Sequence, residues 1–386
     1  MRNWLLPEYI EDVLPAEALR MEQLRRRLLD LFHVYGYQYV IPPMLEYMES
    51  LITGAGHDLD LATFKVVDQL TGRLMGVRAD MTPQAARIDA HLLNHQGVTR
   101  LCYAGSVLRT KPDGLAQTRE PLQLGAELFG HAGVESDIEV QSLMIVALKT
   151  IGISQIHIDL SHVGIFESLV QAGNINSSLE QALHAALQGK DQSAVTKLAS
   201  DLEYTTREAL IALTKLNGDS AILETAKKVL PNTPAIQAAL VSLVQVSQAL
   251  EALNVTVSFD LSELRGYHYH SGMVFAAYAK GYKGPLALGG RYDEVGEAFG
   301  RARPATGFSL DLRGVVTALS PASLPKVILA PAIIDVALQS KITELRNSGQ
   351  VVVQALPNTQ CSMDELNCDR QLVLKSGAWQ VEAITN

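Results

Sequence analysis

The middle of the chain constrains everything around it. From about Gly164 to Leu253 the sequence is rich in Ala and Leu at helical spacing, with Gly, Asn and Pro as punctuation, as in "SLEQALHAALQGKDQSAVTKLASDLEYTTREALIAL". The sequence on both sides is strand-rich. Such a block reads as a helical insertion, residues 164–253, between the two parts of one core, residues 1–163 and 254–320. A stretch of residues 325–386 follows "SPASLP", a linker candidate, and is short for a full independent domain.

Bulk properties narrow the function. Hydrophobic residues make up 47% and charged residues 19%, which is an ordinary globular balance. The net charge of −9 argues against a protein whose main work is gripping nucleic-acid backbone, while leaving room for a local basic groove. Cys102, Cys361 and Cys368 are too few for a disulfide framework and lack metal-ligand spacing. The opening "MRNWLLPEYIEDVLP" has no apolar stretch of signal-peptide length. No apolar run approaches the roughly 20 residues that span a bilayer. A cytoplasmic protein with reduced thiols is the expectation, with no membrane and no nucleic-acid partner.

Local patterns predict the elements. "LPAEALRMEQLRRRLLDLFHVYG" is an amphipathic helix with Pro15 in its first turn and Gly36 at its end. "YQYVIPPMLE" is a strand broken by Pro42 and Pro43, hence an edge or interface element. "TFKVVDQLTGRLMGVRADMTPQ" is a hairpin followed by a helix, with Thr82 as N-cap and Pro83 as first helical residue. "RLCYAGSVLRT" and "REPLQLGAELFG" are strands joined by the flexible loop "KPDGLAQT". A helix from about Val134 to Thr150 and the strands "ISQIHIDLSHV" and "VTVSFDL" come next. Glu263 to Tyr278, "ELRGYHYHSGMVFAAY", reads as a strand with His268 and His270 on one face and Tyr267 and Tyr269 on the other. Strand–helix–strand and a final hairpin complete the chain.

Four pieces carry chemistry that could meet in one site. They are "VRADMTPQ" with Asp80 and Thr82; "YAGSVLRTKPDGLAQTREPLQLGAE" with Arg109, Arg119, Gln123 and Glu127; the "RGYHYH" segment; and "LALGGRYDEV" with Gly289, Gly290 and Arg291. Guanidinium groups take a free amino acid's carboxylate, and Asp, Glu, Gln and Thr take its ammonium group. Each piece also has an ordinary explanation. Thr82 suits a helix cap, "LGGRYD" a turn, and Gln123 with Glu127 a solvated strand face. His268 and His270 could bind zinc only with a third ligand, and none is evident.

The order of the motifs is more specific than any one of them. Over most of residues 1–318 the chain resembles the catalytic domain of histidyl-tRNA synthetases, a class II synthetase fold. "YGYQYVIPPMLE" looks like motif 1, the dimer-forming segment, and "YAGSVLR…TREPLQLGAELFG" like motif 2. "RGYHYHSGMVF" and "LGGRYDEV" look like the two histidine-specific motifs, and "GFSLDLR" like motif 3. The resemblance implies an α+β fold: an antiparallel sheet flanked by helices, with a helical insertion and a small C-terminal α/β remnant.

The departures are as informative. Lys111 stands where motif 2 has an acid that helps hold adenine. Asp311 lies in motif 3, and Gly314 stands where that motif's arginine grips phosphate. His268 and His270 replace an Asp and a Tyr. This pattern resembles the family of regulatory subunits of ATP phosphoribosyltransferase, the first enzyme of histidine biosynthesis. The resemblance implies a non-catalytic chain that forms a self-dimer through motif 1. It would join a short-form catalytic subunit in a hetero-octamer and respond to histidine, with no cofactor and no metal. Carried over by position, Asp80, Thr82 and Gln123 would hold the histidine ammonium group and Glu127 would face the imidazole, beside Tyr269 and His270. Arg265 would neutralise the carboxylate, supported by Arg109 and Arg119. Two alternatives stay open at this point: an active histidyl-tRNA synthetase without its usual C-terminal domain, and a stand-alone histidine-binding protein.

Overall fold

The structure is a computed structural model that describes residues 4–52, 56–112, 118–267, 269–317, 319–359 and 362–384. His268, Cys361 and residues 113–117 of the motif 2 loop lie outside the described residues. The chain divides into two compact units, residues 1–12 with 21–320 and residues 13–20 with 321–386.

In chain order the strands are β1 (Gln38–Tyr39), β2 (Leu45–Tyr47), β3 (Phe64–Val67), β4 (Leu74–Val77), β5 (Thr99–Ser106), β6 (Leu122–Phe129), β7 (Ile156–His162), β8 (Asn217–Gly218), β9 (Thr256–Asp260), β10 (Met273–Ala279), β11 (Ala287–Arg291), β12 (Ala305–Asp311), β13 (Val327–Ala330), β14 (Val351–Gln354), β15 (Cys368–Lys375) and β16 (Ala378–Ala383). The first unit is built on a nine-stranded sheet in the order β1-β5-β6-β12-β11-β10-β7-β9-β8. Its centre, from β5 to β7, is antiparallel throughout. β1 adds in parallel at one edge, just before the prolines that stop it. This is the expected α+β architecture.

One face of the sheet, that of Leu124, Ala126 and Leu128, is covered by helices with the patterns read above. In Pro15–Val34, Leu24, Leu28 and Phe32 are buried. Helix Val134–Thr150 buries Val140, Leu143, Met144 and Leu148 against the sheet. The helices of the Gly164–Leu253 block share that core: Leu183, Leu210, Leu240 and Leu243 are fully buried in the same cluster as Leu160 and Phe275 of the sheet. Each such side chain contributes about 1.5–3 kcal/mol by leaving water. The block is therefore part of what holds the sheet together.

The second unit has a four-stranded sheet, β14-β13-β15-β16, and the helix Val336–Asn347. Ile328, Leu338, Ile342 and Leu372 form its core. Its hairpin turns through Ser376 and Gly377, both at positive φ, as a tight right-twisted hairpin requires.

Three local expectations need correction. The helix after β4 runs Thr82–Arg87 with Met81, not Thr82, at the N-cap, so the Thr82 hydroxyl is free for another use. The polar part of "ELRGYHYHSGMVFAAY" is not a strand. Amides of Tyr267, Tyr269 and His270 bond back to Leu264, Gly266 and Gly266, with Gly266 at φ +66°, and β10 begins only at Met273. Alternation of faces does not apply in those turns, which bring Tyr269 and His270 together at a ring separation of 5.3 Å. Finally, Gly289 and Gly290 lie inside β11 and do not form a turn.

Candidate amino-acid site

Register places the site's floor. Across the sheet, Glu127 of β6 stands opposite Gly307 of β12, and Gly307 opposite Gly290 of β11. A Cβ on Gly307 would lie 1.5 Å from Glu127 Oε2, and one on Gly290 would lie 2.6 Å from the His270 ring. The two glycines leave the volume into which Glu127 and His270 fold. On the other side of Glu127, Gly125 stands opposite Tyr103 of β5, and a Cβ there would strike its ring at 2.4 Å.

A continuous hydrogen-bond circuit fills this floor. Gln123 donates its amide to Asp80 Oδ1 at 2.7 Å and accepts from the Met81 amide at 2.9 Å. The Thr82 amide donates to the same Asp80 oxygen at 2.9 Å. The Thr82 hydroxyl pairs with the Tyr103 hydroxyl at 2.9 Å. Tyr103 donates to Glu127 Oε1 at 2.8 Å, and Tyr292 donates to Oε2 at 2.5 Å. Gln123 and Glu127 are buried, so the shared strand face is not solvated. Tyr269 lies against Tyr292 at 5.1 Å, and its buried hydroxyl has no hydrogen-bond partner among the described residues.

The electrostatics follow from burial. Desolvation pushes the Glu127 carboxyl up to about 8 despite the two phenol donors. Burial, reinforced by the Glu127 charge, holds the hydroxyls of Tyr103, Tyr269 and Tyr292 well above the ordinary tyrosine value. The His270 ring points Nδ1 at the Arg265 carbonyl, 3.3 Å away, which makes Nδ1–H the donor and leaves Nε2 an acceptor. Burial pulls His270 down to about 4. The floor thus offers acceptors for an ammonium group at Asp80 and, at the Glu127 end, groups that exchange hydrogen bonds with a heteroaromatic ring.

The arginines sit at the outer end and differ in employment. Arg109 donates to the Ala79 carbonyl at 3.3 Å, next to Asp80. Arg119 donates to the Arg109 carbonyl at 3.1 Å and lies over the Phe64 ring. Arg265 is largely exposed and pairs with Glu263 at 3.4 Å. Arg291, grouped above with the ligand-binding arginines, does a different job. It is buried on Asp137 at 2.8 Å and on the carbonyls of His131 and Gly133, where it anchors the start of helix Val134–Thr150. Asp311 caps the helix Leu312–Val316 and accepts from the amides of Leu122 and Arg313, both at 3.0 Å. Burial raises its carboxyl.

Seven of the nine nominated residues therefore gather around one floor: Asp80, Thr82, Gln123, Glu127, Tyr269 and His270, with Arg109 at its edge. Arg119 and Arg265 stand further out. Sequence reasoning missed Tyr103 and Tyr292, although both lie inside quoted motifs. The signal was the glycine partner: Gly125 opposite Tyr103, and the Gly289-Gly290 pair just before Tyr292. Among the described residues no three His, Cys, Asp or Glu side chains cluster as metal ligands.

A nine-stranded mixed sheet with an antiparallel centre and this floor defines a class II synthetase-like fold. A family model for histidyl-tRNA synthetase matches residues 9–315, and one for the ATP phosphoribosyltransferase subunit HisZ C-terminal domain matches residues 325–382. The ATP phosphoribosyltransferase regulatory subunit of Methylobacillus flagellatus is 67% identical over 383 residues, covering 99% of each chain. That of Nitrosospira multiformis is 55% identical, covering 99% of this chain and 98% of its own. A crystal structure of an ATP phosphoribosyltransferase regulatory subunit/histidyl-tRNA synthetase from Bacillus halodurans superposes with a TM-score of 0.84 at 28% identity, covering 96% of this chain and 98% of that one. Histidyl-tRNA synthetase from Nostoc, at 17% identity and a TM-score of 0.79, shares the fold. The chain belongs to the family of ATP phosphoribosyltransferase regulatory subunits.

Proposed function

We propose that this chain activates a short-form ATP phosphoribosyltransferase catalytic subunit, which joins phosphoribose to N1 of ATP, and that it conveys inhibition by histidine. On this reading the chain has no aminoacylation activity and works in the cytoplasm within a hetero-octamer. No helix of the described residues is long and apolar enough to cross a membrane. The observation that most supports the reading is the intact circuit from Gln123 to Glu127 beside a motif 3 whose Asp311 carboxylate is spent on capping a helix. The amino-acid floor is furnished, whereas the neighbouring position carries a buried acid that repels phosphate.

Histidine would place its ammonium group on Asp80, with Thr82 and Gln123 fixing that carboxylate. Its ring would meet Glu127, Tyr269 and His270, and its carboxylate would meet Arg265, with Arg109 and Arg119 behind. A self-dimer through motif 1 is supported by exposed Ile41, Met44 and Leu45 around the double proline. Histidine acts on the partner only through different affinities for two states of the complex.

The test is phosphoribosyl-ATP formation by the purified catalytic subunit, with and without this chain, across a histidine titration. Activation together with histidine inhibition that appears only in the complex is the expected result. Absence of any effect at saturating ratios would refute the reading. Histidine-dependent ATP–pyrophosphate exchange by the chain alone would favour an active synthetase instead.

A further inference from the structure

The amino-terminal segment is tied to the outer end of the site by backbone carbonyls. The Arg119 amide donates to the Tyr9 carbonyl at 2.9 Å, and the Arg119 side chain reaches the Glu8 carbonyl at 3.5 Å. The Arg313 side chain donates to the Glu11 carbonyl and, at 3.3 Å, to the Glu120 carbonyl. Within the segment, the Ile10 amide closes a turn on the Pro7 carbonyl. Tyr9 is held at φ +62°, the left-handed region that a bulky residue adopts only when its surroundings impose it. Its side chain is half-exposed, so core packing does not impose that conformation. The restraints that remain are the turn itself, in which Tyr9 is the third residue, and the arginine contacts that hold the turn in place.

The same contacts lead inward. Arg109 and Arg119 exchange hydrogen bonds, from the Arg109 amide to the Arg119 carbonyl at 2.8 Å and from Arg119 Nε to the Arg109 carbonyl at 3.1 Å. Arg109 Nε then bonds the Ala79 carbonyl, next to Asp80. From Tyr9 to Asp80 the path is therefore a short chain of backbone and guanidinium contacts. A conformationally strained segment at one end and a ligand-ready carboxylate at the other are the two ends a linkage needs.

We propose that residues 7–12 are a strap closed on the arginine end of the amino-acid site, and that strap closure and amino-acid binding favour one another. The inference rests on the reading of the site given above and adds its regulation. A ligand that fixes Asp80 and Arg109 holds Arg119 in the position that grips the Tyr9 carbonyl. An open strap frees Arg119 and weakens the ligand by the same factor, because linkage is reciprocal.

The experiment is hydrogen exchange of the full chain with and without free L-histidine, with histidine affinity measured by calorimetry for the wild type, Tyr9→Pro and Tyr9→Asn. Proline cannot adopt positive φ and opens the strap, whereas asparagine enters the left-handed region readily. Tyr9 lies outside the core, so both variants keep the fold. The expected result is slower exchange in peptides spanning residues 4–12 on adding histidine. With it comes an affinity loss of at least about five-fold in Tyr9→Pro, the low end of ordinary coupling, and none in Tyr9→Asn. Histidine binding with unchanged exchange in those peptides, or equal affinities in all three proteins, overturns the strap while leaving the site reading intact. No histidine binding to the wild type overturns both.

Discussion

The inner and outer ends of the candidate site are built from different materials. At the inner end, Glu127, Tyr103, Tyr292, Thr82, Asp80 and Gln123 satisfy one another side chain to side chain, on a floor cleared by glycines. At the outer end, Arg109, Arg119 and Arg313 donate to backbone carbonyls, and Asp311 accepts from backbone amides. Side-chain circuits can be redirected by a ligand without refolding anything. Cations and acids bound to backbone are structural posts, and a ligand that meets them bears on the segments they hold. On the reading proposed above, the difference leaves the inner end to be met by side chains alone, while the outer end couples a ligand to the scaffold.

The comparison can be broken first at the floor. Gly307→Ala places a methyl group inside the Glu127 carboxylate, and we expect it to cost at least about 3 kcal/mol and to abolish histidine binding. Chemical denaturation and calorimetry check both, and near-wild-type stability would mean the floor is not close-packed. At the outer end, Arg265→Ala should leave stability unchanged, because its pair with Glu263 is exposed. Losing a charge-assisted contact to the ligand carboxylate should weaken histidine about ten- to a hundred-fold. Full histidine sensitivity in that variant would remove Arg265 from the site.

Asp311→Gly should cost about 1–3 kcal/mol by removing a cap and orphaning the Leu122 amide, yet restore no pyrophosphate exchange. Stability unchanged by that substitution would show that Asp311 is no post.

The smallest expected effect is a slope. The Glu127 carboxyl titrates higher in the folded chain than in the unfolded one. The folded state is therefore favoured while the carboxyl is protonated, and that advantage is lost as pH rises from the unfolded value of 4.5 through about 8. Glu127→Gln should flatten the decline of stability across that window. His162 works with the opposite sign. Its Nδ1 accepts from the Gly164 amide and burial pulls it down to about 4, so stability is lost as pH falls from 6.5 toward 4. Denaturation midpoints at several pH values separate the two.

Much of this was legible because it rests on short-range rules. The helices Pro15–Val34 and Val134–Thr150 and the β3–β4 hairpin follow from period and turn residues. The fold class followed from motif order. What failed was local geometry settled by tertiary contacts. Thr82 looked like a cap by composition, but its hydroxyl is claimed by Tyr103, which is 21 residues away in sequence. "RGYHYH" has strand-forming residues, but Gly266 at positive φ breaks the alternation, and no propensity encodes where Tyr269 then points. Arg291 matched the chemistry of carboxylate recognition, and only the structure shows Asp137 already using it. Tyr103 and Tyr292 were missed as site residues because their role depends on how glycines and Glu127 line up across strands, which the linear sequence does not show.

The strand order also sets a timetable for the chain's birth. β6 ends at Phe129, but its neighbour β12 begins only at Ala305, with the whole helical block made in between. At ordinary rates of synthesis the β5–β6 pair waits roughly ten to thirty-five seconds with its inner edge unpaired. Glu127 lies on that edge, and its partner Tyr292 emerges late as well. A buried acid without its second phenol is a poor template for another strand. An inward-pointing acid is among the features that disfavour edge-to-edge pairing, so the residue that equips the finished floor is also an unfavourable one for a stray strand to cover.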